Sequence, residues 1–157
     1  MELQGTFIVN AGKERVWELF MDFEKLGGCA PGVENLRMLD ETHFEAEMVV
    51  KIQFMTIRFQ ATGELIEASG NRLKMELHGK PAALAGMFRN QLEVVVAELE
   101  EAEQTKVDYR MNIHMTGRLA SLGSILVKST VTKTAEQFAD NVKALFPIND
   151  AGEVSIR

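Results

Sequence analysis

Few side chains in this 157-residue chain could do chemistry, and their spacing forms no catalytic pattern. His43, His78 and His114 lie far apart, and no two of them have the spacing of metal ligands. Each falls on a strand position whose alternation points away from the apolar face, which reads as solvent exposure. Cys29 is the sole cysteine and sits beside a Pro-Gly bend, where it reads as a small buried hydrophobe rather than a reactive thiol. There is no Cys-x-x-Cys, Gly-x-Ser-x-Gly, phosphate loop or dinucleotide fingerprint. Residues 117–123 carry glycines but open a helix after an antiparallel strand, a weak context for phosphate. Arg58 and Arg110 share the outward parity of their strands and read as solvated surface. Tyr109 differs, because it lies on the apolar parity of its strand. A buried hydroxyl needs a hydrogen-bond partner, so Tyr109 is the one polar candidate for touching a ligand. The expectation is a protein without catalytic residues, metal or resident cofactor.

Composition bounds what such a chain can be. With 46% hydrophobic and 25% charged residues, it has the makeup of one soluble domain with a real core. Its net charge of −6, from 23 acidic and 17 basic residues, argues against an electrostatic grip on nucleic acid or anionic lipid. A single cysteine excludes an internal disulfide, and the lack of a leader-like stretch makes a reducing cytoplasm the expected compartment. No apolar run approaches the roughly 20 residues that cross a bilayer. Nine methionines are unusual. Several fall on apolar strand positions, including Met48, Met75, Met111 and Met115, where flexible thioethers suit an interior that accepts an irregular guest.

Periodicity supplies the elements that would position these groups. Residues 1–10 alternate as a strand, and residues 12–22 carry Val16, Trp17, Phe20 and Met21 at helical spacing after Asn10, the expected N-cap. A further helical turn ends at Gly27 and Gly28, and residues 29–34 form the bend. Six strands follow in series, each with an apolar and a polar face, as in an antiparallel meander. Residues 79–88 interrupt it and read as a mobile lid, while 100–105 read as a charged hairpin tip. Residues 118–146 read as one continuous helix with Val131, Ala135, Phe138, Val142 and Leu145 along one stripe. Leu119, Leu122 and Leu126 lie well round from that stripe, so something besides the sheet must cover them. The expected domain is 1–146, with a polar tail at 147–157. The fold class is α+β: a curved seven-stranded antiparallel sheet wrapped around a long C-terminal helix, with two short helices after the first strand.

At this point the chain resembles the carbon monoxide dehydrogenase G-type accessory (CoxG) family of the START-like (SRPBCC) helix-grip superfamily. The resemblance is carried by the opening Met1-Glu2-Leu3-Gln4-Gly5-Thr6-Phe7, by Glu14-Arg15-Val16-Trp17, by Cys29-Ala30-Pro31-Gly32-Val33-Glu34, and by Gly117-Arg118-Leu119-Ala120-Ser121-Leu122-Gly123-Ser124. The family pattern often has a second cysteine in the bend, where this chain has Val33, so no paired-thiol role carries over. Many members continue into a linker and a membrane-anchoring tail; this sequence ends at Arg157, which argues against permanent anchoring.

The resemblance implies a non-catalytic accessory protein linking a molybdenum-hydroxylase-type oxidoreductase to the membrane quinone pool, cytoplasmic and peripheral at the inner face of the membrane. Its cargo would be a quinone or another isoprenoid or lipid. From the alternation, the expected lining of the internal cavity is Phe7, Met48, Phe59, Met75, Leu92, Val94, Tyr109, Met111 and Met115. Entry is expected near Met87, Phe88, Leu119, Leu122 and Leu126. Two readings of other classes stand beside it: an enzyme of the START-like cyclase or dehydratase kind, with Tyr109 or a histidine as acid-base, and a docking or maturation factor with no small-molecule ligand.

Overall fold

The computed structural model describes residues 1–100 and 103–147; the expected tail from residue 148 onward, and residues 101 and 102 of the expected hairpin tip, lie outside it. Strand β1 (Glu2–Val9) leads into helices α1 (Lys13–Met21) and α2 (Phe23–Gly27). Strands β2 (Val33–Met38), β3 (His43–Ile52), β4 (Met55–Ser69), β5 (Arg72–Pro81), β6 (Phe88–Glu98) and β7 (Thr105–Met115) follow, then helices α3 (Gly117–Ala120) and α4 (Ser124–Ala144). The seven strands form one antiparallel sheet in the order β1-β7-β6-β5-β4-β3-β2, so a simple meander is closed at one edge by the return of β1. Residues of alternate parity face the helix, and the opposite parity stays wet. In β4, for example, Ile57, Phe59, Ala61 and Gly63 are buried, whereas Arg58, Gln60, Thr62 and Glu64 are exposed.

The terminal helix differs from the expected continuous one. Leu119, in α3, is buried against Ile52, Ile57 and Phe59, and the chain then turns at Gly123, whose φ of +95° starts α4 afresh. A side chain with a Cβ resists that left-handed conformation, so the helix cannot run through. The break explains the misaligned leucines, because Leu119 belongs to a separate element covered by the β3–β4 hairpin. The inward face of α4 also departs from the expected stripe. Val127, Ala139 and Val142 are its buried residues, whereas Val131, Ala135, Phe138 and Leu145 are only half-buried.

Two smaller expectations also change. Gly12, not Asn10, precedes α1 as its cap; the Asn10 side chain instead accepts a hydrogen bond from Gln104 Nε2 at 3.0 Å. Residues 79–81 complete β5 and Phe88 opens β6, so the expected lid shrinks to 82–87. Even that loop is tied at both ends. Ala82 N donates to Arg58 O (2.9 Å), Thr116 N to Met87 O (2.9 Å) and Arg118 N to Ala85 O (2.8 Å).

Three glycines set the shape of the inner face. Gly5, Gly63 and Gly79 stand directly opposite Tyr109, Phe44 and Phe88 on neighbouring strands. A Cβ at any of them would run into the facing ring. Each ring therefore lies down over its glycine, along the sheet, instead of standing up toward the helix. Replacing Gly63 by Ala is expected to lift Phe44 off β4 and cost about 1–3 kcal/mol, read as a lower midpoint in urea denaturation.

The β2–β3 connection holds a local charge device. Asp40 Oδ1 accepts from the backbone N–H groups of Thr42 and His43, both at 2.8 Å, and from the Thr42 hydroxyl at 3.2 Å. The His43 ring lies 2.9 Å away. The backbone N–H of Thr42 and then the His43 ring hold the Asp40 carboxyl down to about 2; the hydrogen bond to Asp40 pushes His43 above its ordinary 6.5. Asp40 therefore contributes stability above about pH 3.8, lost as pH falls toward 2. His43 contributes below about pH 6.5, lost as pH rises through its raised folded value. An NMR titration is expected to show His43 returning toward 6.5 in Asp40→Asn.

Candidate functional site

The inner face of the sheet and the facing side of α4 close on each other around Ala139 and Val142 and less completely nearer the middle of the helix. Helix α4 comes nearest β1 and β3, while its Ala139 and Val142 share a packed cluster with Leu73, Val94 and Val96 of the central strands. The central strands accordingly keep Leu65, Leu77, Leu92 and Tyr109 half-buried on the inner face, and β3 keeps Met48 so. Across from them, Val131, Ala135 and Phe138 of α4 are half-buried as well. These partly accessible side chains are apolar, a lining that suits an apolar guest better than a polar one.

The packed interior is accordingly divided. One cluster joins Phe7, Val94, Val96 and Val107 to α1 and to Ala139, Val142 and Phe146, with Leu92 and Tyr109 at its edge. A second joins Ile52, Ile57, Phe59 and Leu119, edged by Met48, Phe88, Met115, Leu122 and Leu126. A third holds Phe23, Phe44 and Met75, again edged by Leu92. Of the residues expected to line the cavity or its entry, Phe7, Phe59, Met75, Val94, Met111 and Leu119 are buried. Met48, Met87, Phe88, Leu92, Tyr109, Met115, Leu122 and Leu126 are half-buried. They divide between the clusters rather than forming one patch, and neither Met87 nor Met111 belongs to any of the three.

The seam between the clusters holds a polar group that the sequence pattern alone did not single out. Asn90, on β6, is 9% exposed and stands between Leu77 of β5 and Ile113 of β7. Its Nδ2 donates to the Met111 Sδ at 3.5 Å, a weak acceptor. Its Oδ1 is buried and has no hydrogen-bond partner among the described residues. Such an orphan costs about 1–3 kcal/mol. The signal was present in the sequence, since Asn90 has the same parity as Leu92, Val94 and Val96. Tyr109 is the second polar group on this face. Its hydroxyl makes no hydrogen bond to a described residue, and burial, then the Glu136 carboxylate of α4, pushes its pKa up. Asn90 is four residues from Val94, which pairs with Tyr109, so the two groups stand about 13 Å apart along the strands.

The remaining candidates lie elsewhere. His43 pairs with Asp40 and Glu64, and His78 with Glu76, all on the outer face; His114 is exposed. Among the described residues no three acidic, histidine or cysteine side chains gather as a metal site. Two open hollows on the sheet's outer surface, of about 290 Å³ at Asn35, Arg37 and Glu45 and about 460 Å³ at Glu2, Gln4 and Arg110, hold no such group either. Cys29 is buried, and desolvation raises its thiol pKa, with Lys25 opposing. Its carbonyl accepts a hydrogen bond from Asn141 Nδ2 at 2.8 Å, tying the bend to α4.

This geometry is that of the START-like helix-grip class, a curved antiparallel sheet holding a long C-terminal helix. Solved structures share it. A conserved protein from Geobacillus kaustophilus aligns with a TM-score of 0.83 at 17% identity, covering 92% of this chain and 94% of its own. A START superfamily protein from Mycobacterium smegmatis gives 0.72 at 14%, covering 92% and 95%. The Zhui aromatase/cyclase from a Streptomyces species gives 0.70 at 14%, covering 98% and 99%. At these identities the likeness is one of fold. No curated protein sequence matches. The sequence profile of the CoxG family, named for the G component of carbon monoxide dehydrogenase, matches residues 5–145, and the chain belongs to that family.

The bend's thiol generates a simple expectation. Native Cys29 should react with a disulfide reagent such as DTNB at least about tenfold more slowly than in the urea-unfolded chain, because the thiolate is disfavoured and covered. Equal rates would show the site to be open.

Proposed function

We propose that this protein is a non-catalytic carrier that holds an apolar ligand between the sheet and α4. One observation carries the reading: Asn90 Oδ1 is buried and unpaired on an otherwise apolar inner face. Such a group calls for a partner, and a ligand group donating to that oxygen would supply one. The half-buried surfaces of Leu92, Tyr109, Met115, Leu126 and Phe138 would lie along the ligand's apolar body, with Met48 and Met111 adjusting to its shape.

Family membership supplies the finer proposal. The ligand is a quinone or related isoprenoid lipid, and the protein passes it between the membrane and a molybdenum-containing hydroxylase of the carbon monoxide dehydrogenase kind. The energetics allow it. Each enclosed methylene contributes about 0.8 kcal/mol, so three isoprene units give about 12 kcal/mol. Micromolar binding needs about 8 kcal/mol, which remains if association costs about 4 kcal/mol, the lower end of its range.

Native mass spectrometry and solvent extraction of freshly purified protein are expected to release a quinone or lipid, and added quinone should quench Trp17. Tyr109→Phe should retain the ligand, as an enzyme using Tyr109 for proton transfer would not retain turnover. Asn90→Leu should weaken binding of a ligand with a donor group by about 5- to 100-fold, the worth of a buried hydrogen bond. Protein that is empty as purified and indifferent to quinone would end the carrier reading.

A further inference from the structure

The whole-chain charge hides a separation that only the fold reveals. Residues 48–60, 79–92 and 112–130 contain none of the 23 acidic residues, yet they hold Lys51, Arg58, Lys80, Arg89, Arg118 and Lys128, six of the 17 basic ones. These stretches are remote in sequence but meet at one end of the molecule, where the β3–β4 hairpin, the 82–87 loop, α3 and the first turn of α4 pack through Ile52, Ile57, Leu84, Leu119, Leu122 and Leu126. The backbone hydrogen bonds from Ala82 to Arg58 and from Arg118 to Ala85 fasten them together. All six basic side chains belong to exposed residues. Arg58 reaches Glu34 at 3.7 Å; Lys51, Lys80, Arg89, Arg118 and Lys128 pair with no acidic side chain among the described residues.

The same end carries the most exposed large apolar side chains of the described residues. Phe54, at the tip of the β3–β4 hairpin, is 104% exposed, and Ile125, in the first turn of α4, is 87% exposed. Met55, beside Phe54, is 40% exposed. Apolar side chains projecting from a surface with five basic groups left unpaired among the described residues are complementary to one kind of partner, an anionic bilayer: its headgroups take the charges and its acyl boundary takes Phe54 and Ile125.

We propose that this basic, apolar end docks the protein on anionic membrane surfaces, with Phe54 and Ile125 as the inserted anchors. The pose sets the seam between the hairpin, the 82–87 loop and α4 against the lipid. Its half-buried Met48, Phe88, Leu122 and Leu126 then offer an apolar path from the acyl region inward. Docking rests on the surface alone; only this last consequence rests on the carrier reading.

The test is flotation of ligand-stripped protein with vesicles of phosphatidylcholine alone or mixed with phosphatidylglycerol. Each basic side chain near an anionic surface raises partition by roughly fivefold, so retention on the mixed vesicles should be strong, weak on neutral ones, and reduced by salt. The double variant Phe54→Ser with Ile125→Ser should lower partition by at least about tenfold, and Lys51→Glu with Lys128→Glu should remove the preference for anionic lipid. Ile66→Ser, an exposed apolar residue on β4 outside this end, should behave as wild type. No retention on either vesicle, equal retention on both, or undiminished retention of the Phe54 and Ile125 variant would overturn the proposal. So would a concentration-dependent dimer, abolished by Phe54→Ser, in protein that ignores vesicles. Vesicle binding by a protein that yields no extractable ligand would keep the docking surface while ending the carrier reading.

Discussion

Three aromatic rings fitted over three glycines shape the inner face of this sheet. Tyr109 sits over Gly5, Phe44 over Gly63 and Phe88 over Gly79, and each ring packs into or against one of the core clusters. With a Cβ at these glycines, the rings would have to shift from the sheet. Dense packing is the default of a protein interior.

The helix is held by its ends for the same reason. Near its C-terminus Ala139 and Val142 enter the main core, and Asn141 bonds the Cys29 carbonyl. At the other end the short α3 plants Leu119 under the hairpin, and Gly123 lets the chain change direction before α4 begins. A single rigid rod carrying one continuous stripe would have been drawn down onto the central strands. Breaking it separates two tasks: α3 closes the hairpin end, and α4 bridges the sheet with Val131, Ala135 and Phe138 left partly uncovered. Gly86 and Gly117 serve this junction, since a Cβ on either would collide with the backbone of the other's segment.

Charge follows the same division of the molecule. The acidic Asp40, Glu41, Glu98 and Glu100 lie at the opposite ends of strands β3 and β6 from the hairpin and the 82–87 loop. A net charge of −6 describes neither end. The field near a surface is set by the charges within about a Debye length, roughly 8–10 Å, so a partner at the hairpin end meets a basic surface whatever the total.

The sequence by itself determined the order of elements, the meander and the face each strand buries, because alternation is a local property read residue by residue. It also marked most of the inner face, from Phe7 to Met115, by parity alone. It misjudged whatever depended on distance. The helix looked continuous because Leu119, Leu122 and Leu126 keep helical spacing, and only their packing against Ile52, Ile57 and Phe59 separates α3 from α4. Asn90 had the right parity, but its significance lies in an oxygen left without a partner, which is a fact about every neighbouring strand at once. The basic end is the clearest case. Its charges come from three acid-free segments with two basic residues each, and the tertiary structure gathers them because sheet pairing brings residues far apart in the chain to the same end.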